Sequence, residues 1–518
     1  MNGEDIIKRA QRAFQDRQWY ESLWQDCYDY AMPSRRGFEA QTPGQDRMDK
    51  VFDETAIVAL QEFASTMQQG MVPAFGKWFR FEPGSLIPEG QRETVQADLD
   101  IVGEYVLEVL ANSTFPQETH EMFQELGIGT GAMFVDELNG GIIFKSIPLT
   151  DFALKLSPFG WVDGVYRTRT LTAKESVLLW GELYPLPAYI REKAANEPQD
   201  AAPSVAFIEA TERQYDEPMV ESWRYTITDV SEQTTFVDRT ERGDGSGFWL
   251  TPRWTTASEE VYGRGPLMNA LPAIKTCNLT MQLILENAEV AIEGIWQTDD
   301  DGTINVDTIR LLSGTIVPRM PGSRGLEQLV NNSKFDVGQL VLGDMRHNIK
   351  KALYNMEFGA LDKTPLSATE VSLRESKLAE LIGPAYGRIH SEFIQPLLLR
   401  VVYLLRRMGR IELPRVDGRE VRIVAKTPMA RAYRAQDITR LTNFVATVGN
   451  FVGPEGLAGH INFAGLVAKL EGLYEIPRGI VITAAERARA TGGGGMGAPQ
   501  GPAGALAALA NGLPALSP

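Results

Sequence analysis

Cysteine is almost absent from this chain of 518 residues, in which only Cys27 and Cys277 occur. Two cysteines so far apart in sequence cannot build a disulfide framework. Neither has a neighbouring cysteine with which it could form a CxxC metal or redox motif. The scarcity of cysteine therefore excludes the small, disulfide-stabilised class of secreted proteins and indicates a reducing compartment.

Long apolar runs are also absent. The most apolar segment, residues 397–405, is interrupted by Arg400 and is much shorter than the roughly 20 residues that cross a bilayer. We expect a buried helix there rather than a membrane span. The first residues carry charge where a signal peptide would need an apolar stretch, so we expect the protein to stay in the cytosol in which it is made.

An excess of positive charge is lacking as well. Lys and Arg total 51 against 67 Asp and Glu, which gives a formal net charge of -16. This balance excludes the uniformly basic surface with which most proteins bind nucleic acid. Hydrophobic residues at 43% and charged residues at 23% are typical of a folded globular protein, and the length predicts about three structural units.

One glycine-rich segment resembles a nucleotide motif but lies in the wrong context. Gly127, Gly129 and Ala132 fit the G-x-G-x-x-A pattern of dinucleotide-binding folds. Here a predicted helix precedes the glycines and a strand follows them, so no helix N-terminus is aimed at a phosphate. The segment predicts a tight helix-to-strand turn instead.

Other motifs for catalysis or metal binding are missing. Gly76 and Lys77 lack the spacing of a phosphate-binding loop, and Trp78 stands where such a loop has Ser or Thr. The acidic turn before Gly302 lacks the first and last ligands of a calcium loop. The histidines are too far apart for a zinc-binding pair. We therefore predict no catalytic residue, no metal and no cofactor.

Hydrophobic periodicity predicts an α+β protein. Helices are predicted over residues 5–30, 53–71, 92–110, 117–126, 266–293, 337–354, 431–448 and 463–470. A long helix over 367–407 is predicted to begin at a capping box and to be kinked at 383–384 and 395–396. A strand is predicted over 77–81, a hairpin over 132–147, and a β-rich region over 142–254 with an inserted helix near 174–184 and a polar loop near 196–203.

Six segments, taken in order, resemble the portal (head-to-tail connector) proteins of short-tailed, podovirus-type bacteriophages. The segments are 24–33 with Arg35, 52–56, 78–79, 127–134, 262–266 with 271–272 and Lys275, and 367–371 with Arg374. The two most specific segments contain Tyr262, Gly263, Arg264, Gly265 and Pro266 in one case, and Ser367, Thr369 and Glu370 in the other. The resemblance covers residues 20–450, which is most of the chain.

The resemblance implies a multi-domain portal fold that forms a ring. Its parts would be an N-terminal helical part of the wing (1–140), a β-rich wing (141–260), stem helix 1 (261–293), a clip (294–335), stem helix 2 (336–354), a tunnel loop (355–366), a long kinked wing helix (367–411), a helical crown (412–491) and a flexible tail (492–518). Portal rings, commonly of twelve copies, sit at one capsid vertex. They form the channel for viral DNA packaging and ejection, dock the terminase motor and then join the head to the tail.

The resemblance also implies partners and a location. The partners would be other copies of the chain, the terminase large subunit, capsid and scaffolding proteins, tail adaptor proteins and the double-stranded DNA that passes through the channel, with no membrane. ATP would be hydrolysed by the terminase, in agreement with the missing phosphate-binding loop. The protein would lie at the portal vertex of the virion after assembly in the host cytoplasm.

Candidate DNA-contacting residues follow from the same resemblance. In the tunnel loop they are Met356, Phe358, Gly359, Leu361 and Lys363. Candidate channel cations, which could equally be intersubunit ion-pair partners or solvated charges, are Lys275, Arg346, Lys350 and Lys351. An acidic channel wall would repel DNA and leave only a few cations to touch the phosphates, which suits a duplex that has to slide.

Two alternatives stay open at this point. One is another ring-forming virion protein, such as a head-completion adaptor, although adaptors are usually much shorter. The other is a nucleic-acid-processing enzyme, which requires a metal or phosphate site that the sequence does not provide.

We predict that the purified protein does not hydrolyse ATP, because it lacks the glycine spacing that cradles phosphate and the hydroxyl that binds magnesium. A phosphate-release assay, run with and without double-stranded DNA, checks this. Phosphate release that follows the protein through chromatography and disappears in a point variant of this chain would contradict the prediction.

Overall fold

The computed structural model of the protein describes residues 3–39, 48–73, 77–83, 89–138, 140–198, 202–216, 220–293, 295–297, 327–329, 335–355, 382–383, 385–416, 419–420, 423–425, 441–449, 451, 461, 466–467 and 470. The chain divides into two compact units, Met1–Pro365 with Leu381–Ala425, and Leu366–Glu380 with Lys426–Pro518. In the second unit, residues 441–449 are helical and overlap the helix predicted over 431–448. The first unit contains the sheets and the long helices.

Helices and strands alternate in long blocks along the first unit. The helices are α1 (Gly3–Ala31), α2 (Thr55–Met71), α3 (Glu89–Ala111), α4 (Phe115–Ile128), α5 (Ala173–Trp180), α6 (Ala188–Asn196), α7 (Pro266–Glu293), α8 (Phe335–Ala352) and α9 (Gln395–Arg407). The strands are β1 (Phe81–Pro83), β2 (Met133–Leu138), β3 (Gly141–Ser146), β4 (Phe152–Leu156), β5 (Val162–Leu171), β6 (Val205–Gln214), β7 (Ser222–Asp229), β8 (Thr235–Arg242), β9 (Trp249–Leu250), β10 (Ile295–Gln297), β11 (Glu327–Leu329), β12 (Arg415–Val416), β13 (Arg419–Glu420) and β14 (Ile423–Ala425). The predicted α+β class is confirmed.

The five-stranded sheet is an antiparallel meander in the order β4-β5-β6-β7-β8. Strand β6 pairs with β5 from Gly164↔Glu212 to Leu171↔Val205. A second sheet, β3-β2-β9, contains the predicted hairpin, in which Leu138 lies opposite Gly141. Strands β1 and β14, β10 and β11, and β12 and β13 form short antiparallel pairs.

Helices cover both faces of the five-stranded sheet. On one face, Ile6 and Ala10 of α1 pack on Ile208 and Ala210 of β6. On the other face, the helices α5 and α6 pack on a cluster that includes Phe207 of the same strand. Successive residues of a strand point to opposite faces, so β6 supplies apolar side chains to two separate cores.

The strand predicted over residues 77–81 is wrong in its position. Residues 77–80 have no strand pairing, and β1 covers only Phe81–Pro83. The physical reason is that Trp78, Phe79 and Phe81 are all buried and contact one another in series, with ring centroids 4.7 and 5.0 Å apart. A regular strand would have sent adjacent residues to opposite faces.

The helix predicted near 174–184 is confirmed as α5, although it ends at Trp180, and a second helix that the sequence did not predict, α6, follows over residues 188–196. The kink predicted at 395–396 takes the form of a π-helical turn over His390–Ile394, directly before α9. Pro396 cannot donate to the carbonyl four residues earlier, and the wider turn accommodates its ring. Residues 367–381 of the predicted long helix lie outside the described residues.

Arg400 is the buried charge inside the apolar segment 397–405, which forms a buried helix as predicted. Its guanidinium donates to the carboxylates of Asp136 (3.2 Å) and Glu241 and to the carbonyl of Val135 (3.1 Å). It also lies 4.4 Å from the centroid of the Phe248 ring. Burial lowers the pKa of Arg400, and the two carboxylates oppose that change. The arginine therefore binds α9 to both sheets.

We predict that Arg400→Ala lowers the free energy of unfolding by about 1–3 kcal/mol, because it removes the fully buried cation of Asp136 and Glu241 and leaves these carboxylates only their partly exposed partners Arg239 and Arg407. Arg12→Ala, which removes an exposed arginine from α1, is the control and should cost less than about 0.5 kcal/mol. Urea denaturation of the two variants and the parent at one protein concentration measures both. Equal midpoints for Arg400→Ala and Arg12→Ala would contradict the prediction.

Candidate functional site at the base of helices α7 and α8

Two glycine segments meet backbone to backbone at the start of α7. The amide of Gly265 donates to the carbonyl of Ile128 (2.7 Å), and the amide of Trp254 donates to the carbonyl of Gly129 (2.8 Å). A Cβ on Gly265 would lie 2.2 Å from the carbonyl oxygen of Gly127, and one on Gly129 would lie 2.1 Å from that of Gly263. Neither position can carry a side chain. We call this contact between residues 127–131 and 263–265 the glycine joint.

Side-chain hydroxyls complete the hydrogen bonding around the glycine joint. The Thr130 hydroxyl accepts from the amide of Gly263 (2.8 Å), and Thr255 exchanges two hydrogen bonds with the backbone of Arg264. Helix α7 begins at Pro266, directly after the joint. The joint therefore fixes where α7 starts relative to the end of α4. The helix-to-strand turn predicted at these glycines is confirmed, since α4 ends at Ile128 and β2 starts at Met133.

Tyr262 anchors the joint to α1 and β4. Its side chain is almost fully buried, and its hydroxyl accepts from the amide of Leu154 (3.0 Å). Its ring contacts those of Trp24 and Tyr20, with centroids 4.9 and 5.3 Å away. Burial raises the pKa of Tyr262. The tyrosine is a structural anchor between three elements.

Glu125 connects the segment 24–33, with Arg35, to the glycine joint. It is fully buried two residues before Gly127, and it accepts from the Tyr28 hydroxyl (2.5 Å) and from Arg35 (3.1 Å). Burial raises the pKa of Glu125, whereas Arg35 and Tyr28 act to lower it. Segment 24–33, with Arg35, thus holds the end of α4 that forms the joint.

Asp53 and Asn278 clamp α7 and α8 onto the start of α2. The side-chain oxygen of Asn278, on α7, accepts from the amides of Phe52 (2.7 Å) and Asp53 (3.1 Å). The Asp53 carboxylate accepts from the amide of Thr55 (3.0 Å) and from Arg346 on α8 (2.7 Å). Burial raises the pKa of Asp53, but the hydrogen bonds from Thr55 and Arg346 outweigh burial, so that the pKa is lowered. We call this group the Asp53 clamp.

The end of α8 is fixed to α2 as well. Asn355 donates from its side-chain amide to the carbonyl of Ala59 (2.9 Å) and to the carboxylate of Glu62 (2.8 Å). The turn at Tyr354 has φ of 59°, a conformation that ends the helix without a glycine. The chain therefore leaves α8 from a fixed point.

Arg253 and Glu392 form a further buried link that the sequence did not reveal. The Arg253 side chain is only 2% exposed, and it forms a hydrogen-bonded ion pair with Glu392 at 2.6 Å. It also donates to the carbonyls of Val261 (3.3 Å) and Gly160 (3.2 Å). It thereby joins the π-helical turn, the β4–β5 hairpin and the segment before the joint. The two residues are 139 positions apart, so no local pattern could have indicated their pairing.

The predicted channel cations are not gathered into one site. Lys275 forms an ion pair with Asp26 of α1 at 2.6 Å, and Arg346 forms one with Asp53, so both have a partner within the same chain. Lys350 and Lys351 lie in the last turn of α8, where Lys351 is exposed and Lys350 half-buried. The predicted loop residues Met356, Phe358, Gly359, Leu361 and Lys363, and the motif residues Ser367, Thr369 and Glu370, lie outside the described residues.

The site contains anchoring contacts rather than reactive groups. In the described part of the chain, no group of three or more His, Cys, Asp or Glu side chains is placed to hold a metal ion. The helices described here include none with the length and apolar character needed to cross a bilayer. The arrangement can hold a helix pair in position, and it offers no nucleophile or acid–base pair to a substrate.

Comparison with known families gives a match over residues 3–481 to a family described as "Bacteriophage head to tail connecting protein". The chain is 24% identical to the "Probable portal protein" of Bordetella phage BPP-1 over 490 residues, covering 86% of this chain and 83% of that protein. It is 25% identical to the "Portal protein" of Salmonella phage epsilon15 over 478 residues, covering 88% and 84%.

Solved structures of phage-like particles are also similar to the chain. One is the neck of an empty GTA particle computed with C6 symmetry, with 11% identity, a TM-score of 0.37 and coverage of 83% of this chain and 92% of that one. Another is the virion of a native gene transfer agent particle, with 12% identity, a TM-score of 0.33 and coverage of 85% and 96%.

We predict that Asp53→Asn lowers the free energy of unfolding by about 1–3 kcal/mol at pH 7, because it removes the ion pair between the buried Asp53 carboxylate and the partly exposed Arg346. The pKa of Asp53 is lowered in the folded state, so its contribution is fully present above the ordinary value of 3.8 and is lost as the pH falls through the lower, folded-state pKa. Denaturation at pH 7 and pH 3 should show a larger difference from the parent at pH 7 than at pH 3. Asp49→Asn, at an exposed neighbour, is the control. A deficit of equal size at both pH values would contradict the assignment.

Proposed function

The chain belongs to the bacteriophage head-to-tail connecting proteins, and from this membership we propose that twelve copies form a closed portal ring through which viral DNA enters and leaves the capsid. Membership of the family makes the protein a structural connector at the head–tail junction of the virion and not an enzyme. The nucleic-acid-processing alternative is therefore set aside. The adaptor alternative is set aside too, because the matched relatives are named portal proteins and are matched over 83% and 84% of their length.

The observation that carries the ring proposal is the apolar surface of α7. Beyond the Asp53 clamp, Leu279, Leu283 and Leu285 are 55%, 48% and 46% exposed in the single chain. Leu279 and Leu283 are one turn apart on the same side of α7, and Leu285 lies on another side. Exposed leucines on a helix mark interaction surfaces. The helix is fixed at its base by the glycine joint, so it cannot turn these leucines inward. A neighbouring copy of the chain would cover them.

A closed ring follows from the type of contact. In a ring, each copy of the chain contacts its two neighbours through two different surfaces. Such head-to-tail contacts form a closed ring when the rotation that relates successive copies is an integer fraction of 360°. A closed ring leaves no copy with an uncovered α7. Twelve is the number common in the family, and we adopt it for this chain.

We assign the parts of the portal to the observed elements as follows. Helix α7 is stem helix 1, strands β10 and β11 belong to the clip, and α8 is stem helix 2. These two strands pair antiparallel directly after α7 and shortly before α8, as expected for a clip between two helices that return on each other. Helices α1–α4 and the five-stranded sheet belong to the wing, residues 355–366 to the tunnel loop, 367–411 to the long wing helix, 412–491 to the crown and 492–518 to the tail.

The proposed partners follow from this assignment. The clip would dock the terminase large subunit during packaging and tail adaptors afterwards, and the wing would contact capsid and scaffolding proteins during assembly in the host cytoplasm. Double-stranded DNA would pass along the channel. The chain's net charge of -16 would keep the duplex away from the wall.

The four candidate cations of α7 and α8 differ in their surroundings. Lys275 and Arg346 are neutralised by Asp26 and Asp53, so their main role is to position α7 and α8. Lys350 and Lys351 lie in the last turn of α8, next to the fixed point from which the tunnel loop starts. We therefore propose Lys350, Lys351 and Lys363 as the cations that touch phosphates, with Met356, Phe358 and Leu361 sliding beside them and Gly359 bending the loop.

Replacement of residues 356–362 by a Gly-Ser linker tests the channel. We predict that the variant forms rings and enters empty capsids as the parent does, because the fixed point at Asn355 is retained. DNA packaging, or retention of packaged DNA, should fall, because the groups that touch the duplex are lost. Encapsidated DNA per particle, measured by nuclease protection, is the readout.

A Gly-Ser replacement of residues 198–203, far from the stem in sequence, is the matched control and should package normally. Normal DNA content in particles of the 356–362 variant would contradict the proposed contact. Failure of that variant to form rings would show instead that the loop is part of the packed structure.

A further inference from the structure

Two exposed apolar patches lie on the domain built around the five-stranded sheet, and neither takes part in the stem. The aromatic patch consists of Phe159, Trp161 and Tyr215 with Arg213 beside them. The leucine patch consists of Leu178, Leu179 and Leu183 with Glu182 between them. Phe159 and Leu178 are the most exposed members, at 72% and 84%. Exposed clusters of this kind mark surfaces that are covered in an assembly.

The aromatic patch has the composition of a binding hot spot. The rings of Phe159 and Trp161 stack with centroids 5.0 Å apart, and the Trp161 indole donates to the Tyr215 hydroxyl (3.4 Å). The Arg213 guanidinium lies over both Trp161 (5.6 Å) and Tyr215 (5.8 Å). Tryptophan, tyrosine and arginine dominate the energetics of protein interfaces.

The aromatic patch is also held rigid from below. Buried Arg253 donates to the carbonyl of Gly160, which lies between Phe159 and Trp161. Gly160 has φ of 87°, the left-handed conformation that a tight turn requires. A surface fixed before binding loses little conformational entropy when a partner covers it.

The leucine patch is rigid for a different reason. A capping box of Thr172 and Glu175 fixes the start of α5. Trp180, between the exposed leucines, is buried on Phe207 (5.0 Å) and Phe236 (5.6 Å). Burial of Trp180 on the sheet holds the leucines on the outer side of the helix.

The two patches lie at opposite ends of one strand. Phe159 and Trp161 directly precede β5, and Tyr215 directly follows the antiparallel neighbour β6. The leucine patch follows the other end of β5 on α5, and Trp180 packs near the start of β6. A strand of ten residues is about 33 Å long, so the patches lie near opposite ends of the sheet.

Charges of opposite sign accompany the two patches. Arg213 and Glu182 each have no ion-pair partner among the residues that the structure describes. A cation at one end of the domain and a carboxylate at the other are complementary if successive copies of the chain meet end to end. Contacts between unlike ends of one chain are the kind that build a closed ring.

We propose that the aromatic patch of one copy binds the leucine patch of the next copy, with Arg213 of the first facing Glu182 of the second. The inference rests on the proposed ring and adds to it a second subunit contact outside the stem. It also gives the ring a direction, because every copy presents its aromatic end to the same side.

Charge reversal tests the pairing. Arg213→Glu places two carboxylates opposite each other, and Glu182→Arg places two arginines opposite each other. We expect each single variant to raise the concentration at which half of the rings dissociate by about fivefold or more. The double variant R213E/E182R restores an opposite-charge pair in every contact and should return that concentration to within about twofold of the parent. Mass photometry across a dilution series measures it.

Arg191→Glu and Glu192→Arg are matched controls on α6, because both residues are exposed and the changes in charge are the same. Circular dichroism checks that all variants fold like the parent. Single variants that dissociate like the controls would overturn the pairing, as would a double variant that is no better than the singles. Intact rings that fail to enter capsids would show that a capsid-side protein covers the patches instead, which also overturns the pairing. A parent protein that never forms rings would refute the proposed function itself.

Discussion

Contact between two backbones, with no side chain between them, determines the geometry of the first unit. Gly129 and Gly265 approach the opposing carbonyl carbons and oxygens so closely that a Cβ at either position would overlap them. The contact places the first turn of α7 against the last turn of α4, and the Asp53 clamp then holds α7 and α8 together. The exposed leucines of α7 keep their direction only because this base is rigid. Subunit contacts in the proposed ring therefore depend on two glycines, Gly129 and Gly265, that are buried inside the subunit.

Several cations of the chain are paired with carboxylates inside the subunit. Arg253 and Arg400 are buried and bound to carboxylates, and Arg346 and Lys275 are paired at the base of the helices. Cations that are paired with carboxylates inside the subunit do not bind DNA phosphates. When an acidic chain uses its arginines in intrachain ion pairs, most of its surface repels the DNA duplex. This repulsion favours sliding of the duplex over tight binding.

Much of this could be predicted from the sequence, and the failures have physical causes. The periodicity of residues 266–293 and the turn at 139–140 are local signals, and the structure confirms both elements. The helix-to-strand turn predicted at 127–131 is confirmed, but its partner at 263–265 could not be found from sequence, because a contact between distant backbones has no local pattern. The pairs Arg253–Glu392 and Asp53–Arg346 were missed for the same reason. The strand predicted over residues 77–81 is wrong because the consecutive aromatic rings are all buried, whereas a strand would point adjacent side chains to opposite faces.

The mass of the purified protein in solution tests the central claim most directly. Native mass spectrometry at micromolar concentration should give one closed species of about 690 kDa, the mass of twelve copies of the 57.4 kDa chain. A closed ring of another copy number would revise the stoichiometry and keep the account of α7. A monomer or dimer across the range of salt concentrations would contradict it, because the exposed leucines of a rigid α7 would then have no neighbour to cover them.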